Sequence, residues 1–225
     1  MTARSTDEIE ATAEALRAEG GSAVAIAADI SDPAQVVELH RRANEELGSI
    51  DILVNNAGMA ASSRLTSIRL ADWERLFAVN VTGTFLCTQA FIPAMAERGW
   101  GRVVNVASIA GRMGAAYISA YVASKHAVVG FTRAVAIEYA TTGVTVNAVG
   151  PGYVDTALVE MAVENIAGKT GIDPGAAREA LEAQSPQGRI YTADEVAFLV
   201  GSLCDPRAGG INAQCLVLDG GSVQA

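Results

Sequence analysis

The chain alternates short apolar runs with longer stretches of helical periodicity. Residues 23–28 (AVAIAA), 50–54, 102–107 (RVVNVA), 144–149 (VTVNAV) and 211–218 are apolar almost throughout. Runs of this length, bounded by Gly, Asp and Pro, predict strands buried on both faces of a parallel sheet. The segments between them read as helices. Ser5-Thr6-Asp7-Glu8 is a capping box whose helix carries Ile9, Ala13 and Leu16 inward and stops at Gly20-Gly21. Asp32-Pro33 opens a second helix, with Val36, Ala43 and Leu47 inward and Gly48 as its end. Residues 70–79 form an amphipathic helix with Trp73, Leu76 and Phe77, running into the polar Asn80. Residues 81–97 are apolar beyond one stripe and contain Pro93, which predicts a kink. A helix from near Tyr121 to 140, and one from Thr192 to 203 with a Thr192/Glu195 capping box, complete the set. Alternating strands and helices predict an α/β three-layer sandwich, doubly wound around a parallel sheet, as one domain over residues 1–225.

Composition narrows the function. Half of the 225 residues are hydrophobic, enough for a sizeable core, and the net charge of −9 argues against a nucleic-acid surface. No apolar run reaches a membrane span and no signal peptide opens the chain, so a cytoplasmic protein is expected. Cys87, Cys204 and Cys215 are odd in number and lack metal-ligand spacing; they read as small core residues, and no metal site is expected. His40 and His126 are isolated and read as structural or surface residues.

The chemistry concentrates in residues 108–125 (SIAGRMGAAYISAYVASK). Ser108 ends an apolar strand, and Tyr121 and Lys125 are spaced to lie on one helix face, one turn apart. A phenol with a pKa of about 10 is a poor acid or base at neutral pH. A fixed ammonium beside it favours the phenolate and brings the pKa into a useful range. A serine hydroxyl can hydrogen-bond the oxygen that the tyrosine protonates. Tyr117 has no lysine four residues on and reads as a half-buried packing residue. A serine hydrolase built on Ser108 is excluded, because no G-x-S-x-G elbow surrounds it.

Ser108 with Tyr121-Val-Ala-Ser-Lys125, together with Asn55-Asn56-Ala57-Gly58, Asn80 in NVTGTF and Pro151-Gly152 in NAVGPGYVDT, resembles the short-chain dehydrogenase/reductase family. The motifs stand in the family's order and the resemblance runs from about Thr2 to the C-terminus. It implies a Rossmann-like fold and an oxidoreductase moving a hydride between NAD(P)(H) and a carbonyl or secondary alcohol. The substrate implied is a 3-oxoacyl thioester or related 3-hydroxy compound, as in 3-oxoacyl-[acyl-carrier-protein] reductases. By resemblance Tyr121 is the acid/base, Lys125 lowers its pKa and binds the nicotinamide ribose, Ser108 orients the substrate oxygen and Asn80 supports a proton relay. Asn56, Ala57, Gly58, Pro151, Gly152, the Val154 backbone and the Thr156 hydroxyl would line the cofactor. Asp29-Ile30 matches the adenine contact, although Asp29 reads equally as a helix cap. Residues 157–187 would form a substrate lid. The helices at 81–97 and 121–140 resemble the pair that joins subunits, implying a homotetramer or homodimer.

One part of the family pattern is missing. The first strand, the Thr-Gly-x-x-x-Gly-x-Gly turn and the first helix, about 30 residues in all, have no counterpart, so an N-terminally truncated version of the fold is expected. The strand at 23–28 would then need to pair directly with 50–54, and exposed strand edges invite association. Arg4 and Ser5 stand where an acidic residue would select NAD; a guanidinium suits a 2′-phosphate, which favours NADP with NAD still open, and Arg4 also reads as a solvated helix-start residue. The alternative function is a catalytically silent homologue retained as a structural partner in an assembly.

Overall fold

The computed structural model of the chain describes residues 1–224. Its sheet has four parallel strands in the order β1 (Ile52–Asn55), β2 (Gly101–Val106), β3 (Val144–Pro151) and β4 (Cys215–Leu218). Sequential strands are neighbours and each crossover carries helix, as parallel pairing requires. β3 is buried at every position. Side chains alternate between its faces, so the core divides in two. Val103, Val144 and Val146 pack with Leu39, Phe91, Ile92 and Met95 on one face; Val104 and Val149 pack with Leu203 on the other.

Helices α1 (Thr6–Ala18), α2 (Pro33–Leu47), α3 (Leu70–Phe77), α4 (Thr84–Glu97) and α5 (Ser119–Glu138) precede β3. Helices α6 (Ala157–Thr170) and α7 (Pro174–Glu182) lie between β3 and α8 (Ala193–Cys204). α4 and α5 cover one face of the sheet and α8 the other, giving the expected three layers. The α2 cap forms as expected, with Asp32 accepting from the Ala34 and Gln35 amides. So does the capping box at Thr192 and Glu195.

Several expectations need correction. Ser5 begins α1 but its side chain makes no cap bond. Leu16 and Leu47 are exposed at 44% each, because both sit in the last turn of their helix, beyond the layer it covers; Leu39 takes the inward place in α2. Residues 23–28 are not a strand and do not pair with β1. Their backbone bonds run to the first residues instead: the Ile26 amide to the Met1 carbonyl, the Ala28 amide to the Ala3 carbonyl, and the Met1 amine to the Val24 carbonyl. This short pairing still buries Ile26 and Ala28 in the core. β1 therefore pairs only with β2 among the described residues, and Ile52 and Val54 are each 41% exposed. Residues 70–97 are helical without a break and, taken by length and composition, could cross a membrane. The polar Asn80 divides this run in the sequence, which hides its continuity. The helix is a core element here: Leu76, Asn80, Thr84, Cys87, Thr88, Phe91, Ile92 and Met95 are all buried.

Candidate active site

The carboxyl ends of the parallel strands gather the polar residues, which is where open α/β sheets bind ligands. β1 leads into Asn56-Ala57-Gly58, β2 into Ser108, β3 into Gly152 and β4 into Asp219. Below them runs a buried amide-hydroxyl chain. Asn55 Nδ2 donates to Thr88 Oγ1 (3.0 Å) and to Asn105 Oδ1 (2.8 Å), and Asn105 Nδ2 donates to Thr132 Oγ1 (2.9 Å). This chain ties β1 to β2, α4 and α5, fixing the strand ends that carry the site. Asn105 interrupts an apolar strand, so it was findable in sequence, because a buried amide needs partners.

Ser108 is extended (φ −179°, ψ 163°) and caps a single 3-10 turn, Ile109–Gly111, by accepting from the Ala110 amide at 3.1 Å. α5 then begins at Ser119, so Tyr121 and Lys125 lie one turn apart near its start. Burial pushes the Tyr121 phenol above its ordinary pKa; a hydrogen bond from Ser108 pulls it down, and the nearby Tyr153 pushes it up. Lys125 is buried and its Nζ donates to the Val106 carbonyl at 2.8 Å. Burial lowers its pKa to about 8. The amine lies 5.7 Å from the Tyr121 ring centre. The expected lowering of the phenol's pKa is therefore absent, because desolvation at the hydroxyl dominates and the ammonium is directed to a carbonyl. An ammonium has three donors, and one is used here, leaving two for a ligand above Gly58. A Cβ on Gly58 would stand 3.6 Å from Nζ and 3.4 Å from Asn80 Oδ1, so the Gly58 backbone lies directly against both side chains.

Asn80 sits in a π-helical turn, Ala78–Gly83, joining α3 to α4. One extra residue in a helix turn is frequent at functional sites. Its amide brackets the Met59 peptide, accepting from the amide at 2.8 Å and donating to the carbonyl at 2.9 Å. It also donates to Ser124 Oγ at 3.0 Å, and Ser124 donates to the Tyr121 carbonyl at 2.8 Å. Ser124 was missed in sequence, being one hydroxyl among several in α5; the helical step from Tyr121 was its only signal.

The remaining residues divide. Ile30 packs so tightly on Gly83 that a Cβ there would lie 2.6 Å from Ile30 Cδ1. Asp29 is not a helix cap, since Asp32 holds that place; its carboxylate accepts from the Ser31 amide and hydroxyl, which with Arg4 nearby hold its pKa low. Thr156 is exposed and its hydroxyl donates to the Val154 carbonyl at 3.1 Å, while Val154 bridges to Tyr191. Tyr117 is 63% exposed with φ +67°, not the half-buried packing residue expected. Its carbonyl accepts from the Ser63 amide at 2.7 Å, which pins it in a left-handed conformation. The helices α6 and α7 pack on each other through Val159, Val163, Ala177 and Leu181, with Tyr153 against them. Asn165 of α6 donates to Ser62 Oγ at 2.6 Å, so this segment closes onto the loop after β1.

Comparison with known proteins bears on this arrangement. A family model described as short chain dehydrogenase matches residues 1–167. D-beta-hydroxybutyrate dehydrogenase of Cupriavidus necator is 40% identical over 197 residues, covering 87% of this chain and 76% of that protein. The 3-oxoacyl-[acyl-carrier-protein] reductase of Synechocystis sp. is 35% identical over 222 residues, 98% of this chain and 84% of that one. Among solved structures, a single-substitution variant of actinorhodin polyketide ketoreductase with NADPH superposes with a TM-score of 0.95 at 35% identity, covering 98% of this chain and 85% of that chain. A gluconate 5-dehydrogenase from Burkholderia cenocepacia, solved with NADP and tartrate, gives 0.89 at 30% identity, covering 99% of this chain and 84% of that one. With a strand-end serine beside a Tyr-Lys helix turn, and with most of its length matched, this chain belongs to the short-chain dehydrogenase family.

Proposed function

We propose that this protein is an oxidoreductase moving a hydride between NADP(H) and a carbonyl or secondary alcohol, with a 3-oxoacyl thioester or 3-hydroxy counterpart as the substrate class. The observation that carries the reading is the convergence of Ser108, Tyr121 and a buried Lys125 with unused donors beside Gly58. When bound, the nicotinamide cofactor supplies the hydride or accepts it. Tyr121 gives the substrate oxygen a proton in reduction and takes it in oxidation. Ser108 hydrogen-bonds that oxygen and the phenol, holding the two in line. The two unused Lys125 donors would hold the cofactor's ribose end beside Gly58. Asn80, through Met59 and Ser124, fixes the loop and the helix start that face each other across the cleft. In this reading Asn56, Ala57, Gly58, Pro151, Gly152, Val154 and Thr156, all at the carboxyl ends of the strands, would line the nicotinamide half of the cofactor. Arg4, beside Asp29, offers a guanidinium for a 2′-phosphate and favours NADP over NAD.

A second reading is a catalytically silent subunit in an assembly. Titration of the chain with NADPH, followed by cofactor fluorescence and then by absorbance with acetoacetyl thioester, separates the two. Micromolar binding and turnover, abolished by Tyr121→Phe, uphold the enzyme; no binding and no turnover uphold the silent subunit. We expect a cytoplasmic homotetramer or homodimer joined through α4 and α5, where Phe85 meets Phe131 edge-on at 6.2 Å and Ile137 is exposed. A 23 kDa species in light scattering would refute the assembly.

A further inference from the structure

A cavity of about 320 Å³ is walled by α3, the loop after β1 and the segment that runs up to Tyr121. Its lining includes Met59, Ile68, Trp73, Leu76, Tyr117 and Ile118. The volume is about twice that of an engineered apolar cavity that holds a benzene ring, and it reaches the range of ordinary ligand pockets. Three strips border it, and each belongs to the site. Ala120 adjoins Tyr121. Met59 is the residue bracketed by Asn80. Ser62 is the residue that α6 latches through Asn165.

The chemistry of the walls is uneven. The polar groups are the hydroxyls of Ser62, Ser63 and Ser67, with Asp72 and the exposed Arg75. Asp72 is already paired with Arg69 at 2.6 Å. Among the described residues Arg75 is the one cation in the lining and it is solvent-exposed, so a carboxylate buried in the cavity would gain only a screened counter-charge at the rim. Trp73 is half-buried and stacks on Phe77 at 4.6 Å, presenting an aromatic wall. Tyr117, also in the wall, has a left-handed backbone, a conformation that costs a non-glycine residue free energy and clusters at ligand sites.

The geometry points to a distal subsite: the cavity takes an uncharged apolar ring or short branched chain of the carbonyl substrate, and so selects bulky ketones over short 3-oxo acids. The inference rests on the oxidoreductase reading and names the part of the substrate furthest from the carbonyl. Ser67 is exposed on the cavity wall, so Ser67→Phe fills the space without touching the core. Two measurements test it. In the first, tryptophan fluorescence of the full chain is titrated with 4-phenyl-2-butanone and with acetoacetate. A saturable change with the phenyl ketone alone is expected, at least tenfold weakened by Ser67→Phe and lost in Trp73→Phe. In the second, NADPH-dependent kcat/KM is measured for 4-phenyl-2-butanone and butanone. Ser67→Phe should lower the first at least tenfold and the second less than twofold. Tyr117→Gly, which relieves the backbone and removes the wall, should weaken the phenyl ketone while raising Tm. Equal responses to both ligands, or a Ser67→Phe chain that folds and binds the phenyl ketone as before, overturn the subsite. Turnover of both ketones unaffected by Ser67→Phe would sink the subsite and leave the oxidoreductase; ligand-dependent fluorescence without turnover of any ketone would do the reverse.

Discussion

Replacing Lys125 by methionine should make the protein more stable and inactive at once. The side chain is buried, and its pKa falls from an ordinary 10.5 to about 8 because burial disfavours the charged form. At pH 7 the amine is still protonated in the folded chain, and burying that charge costs about 3 kcal/mol relative to the unfolded chain. Methionine has a similar length and no charge. It forfeits the bond to the Val106 carbonyl, which offsets roughly 1 kcal/mol. A net gain of about 2 kcal/mol is expected at pH 7, seen as a urea midpoint raised by about 1 M. The gain must depend on pH in one direction. Between about 8 and 10.5 the unfolded chain binds more protons at this residue than the folded chain, so the native protein gains stability as pH rises through that window. The advantage of the variant therefore shrinks above pH 8 and has reversed by about 10.5, where only the lost bond to the Val106 carbonyl remains. Urea unfolding at about pH 7, 9 and 10.5 measures it. A midpoint lowered at pH 7, or a gain that does not change with pH, would refute the reasoning.

Two further substitutions probe the scaffold. Asn80→Ala removes three hydrogen bonds made by a buried amide and takes a partner from both the N–H and the carbonyl of Met59, which should cost about 2–4 kcal/mol. Calorimetry should show Tm lower by roughly 5–15 °C; an unchanged Tm would mean that water replaces all three bonds. Gly143 turns the chain from α5 into β3 at φ +79°, and a Cβ there would stand 2.1 Å from the Gly99 carbonyl oxygen. Gly143→Ala should destabilise by about 3 kcal/mol or more, through both the strained backbone and the overlap. Soluble expression with an unshifted unfolding midpoint would contradict that.

What the sequence made legible follows from which signals are local. The strands at β2 and β3 read directly because a strand buried on both faces is apolar throughout, and the Ser108, Tyr121 and Lys125 spacing reads because a helix turn is a fixed distance. The 23–28 run looked the same as those strands, yet a strand exists only if a partner ladder does, and its partner here is three residues long. Leu16 and Leu47 carried the right period and the wrong burial, because periodicity does not say where the neighbouring layer stops. Asp29 pairs with Ser31 and not with the helix, a choice between two nearby amides that composition does not decide. The direction of the Tyr121 pKa depends on burial and on where Lys125 points, and both are tertiary facts.

The open edge of β1 has a consequence for timing. β3 is shielded on both sides and at all eight positions, whereas β1 is four residues long and, among the described residues, pairs only with β2. Local opening starts where shielding is thinnest, so amide deuteration should reach Ile52 to Asn55 long before it reaches Val144 to Val149. The loop from Asn56 to Gly58 hangs from that strand. Each transient detachment of β1 would swing the loop away from Lys125, so the tempo at which this end of the cleft accepts and releases a bound molecule would be set by fraying of the sheet's outermost strand.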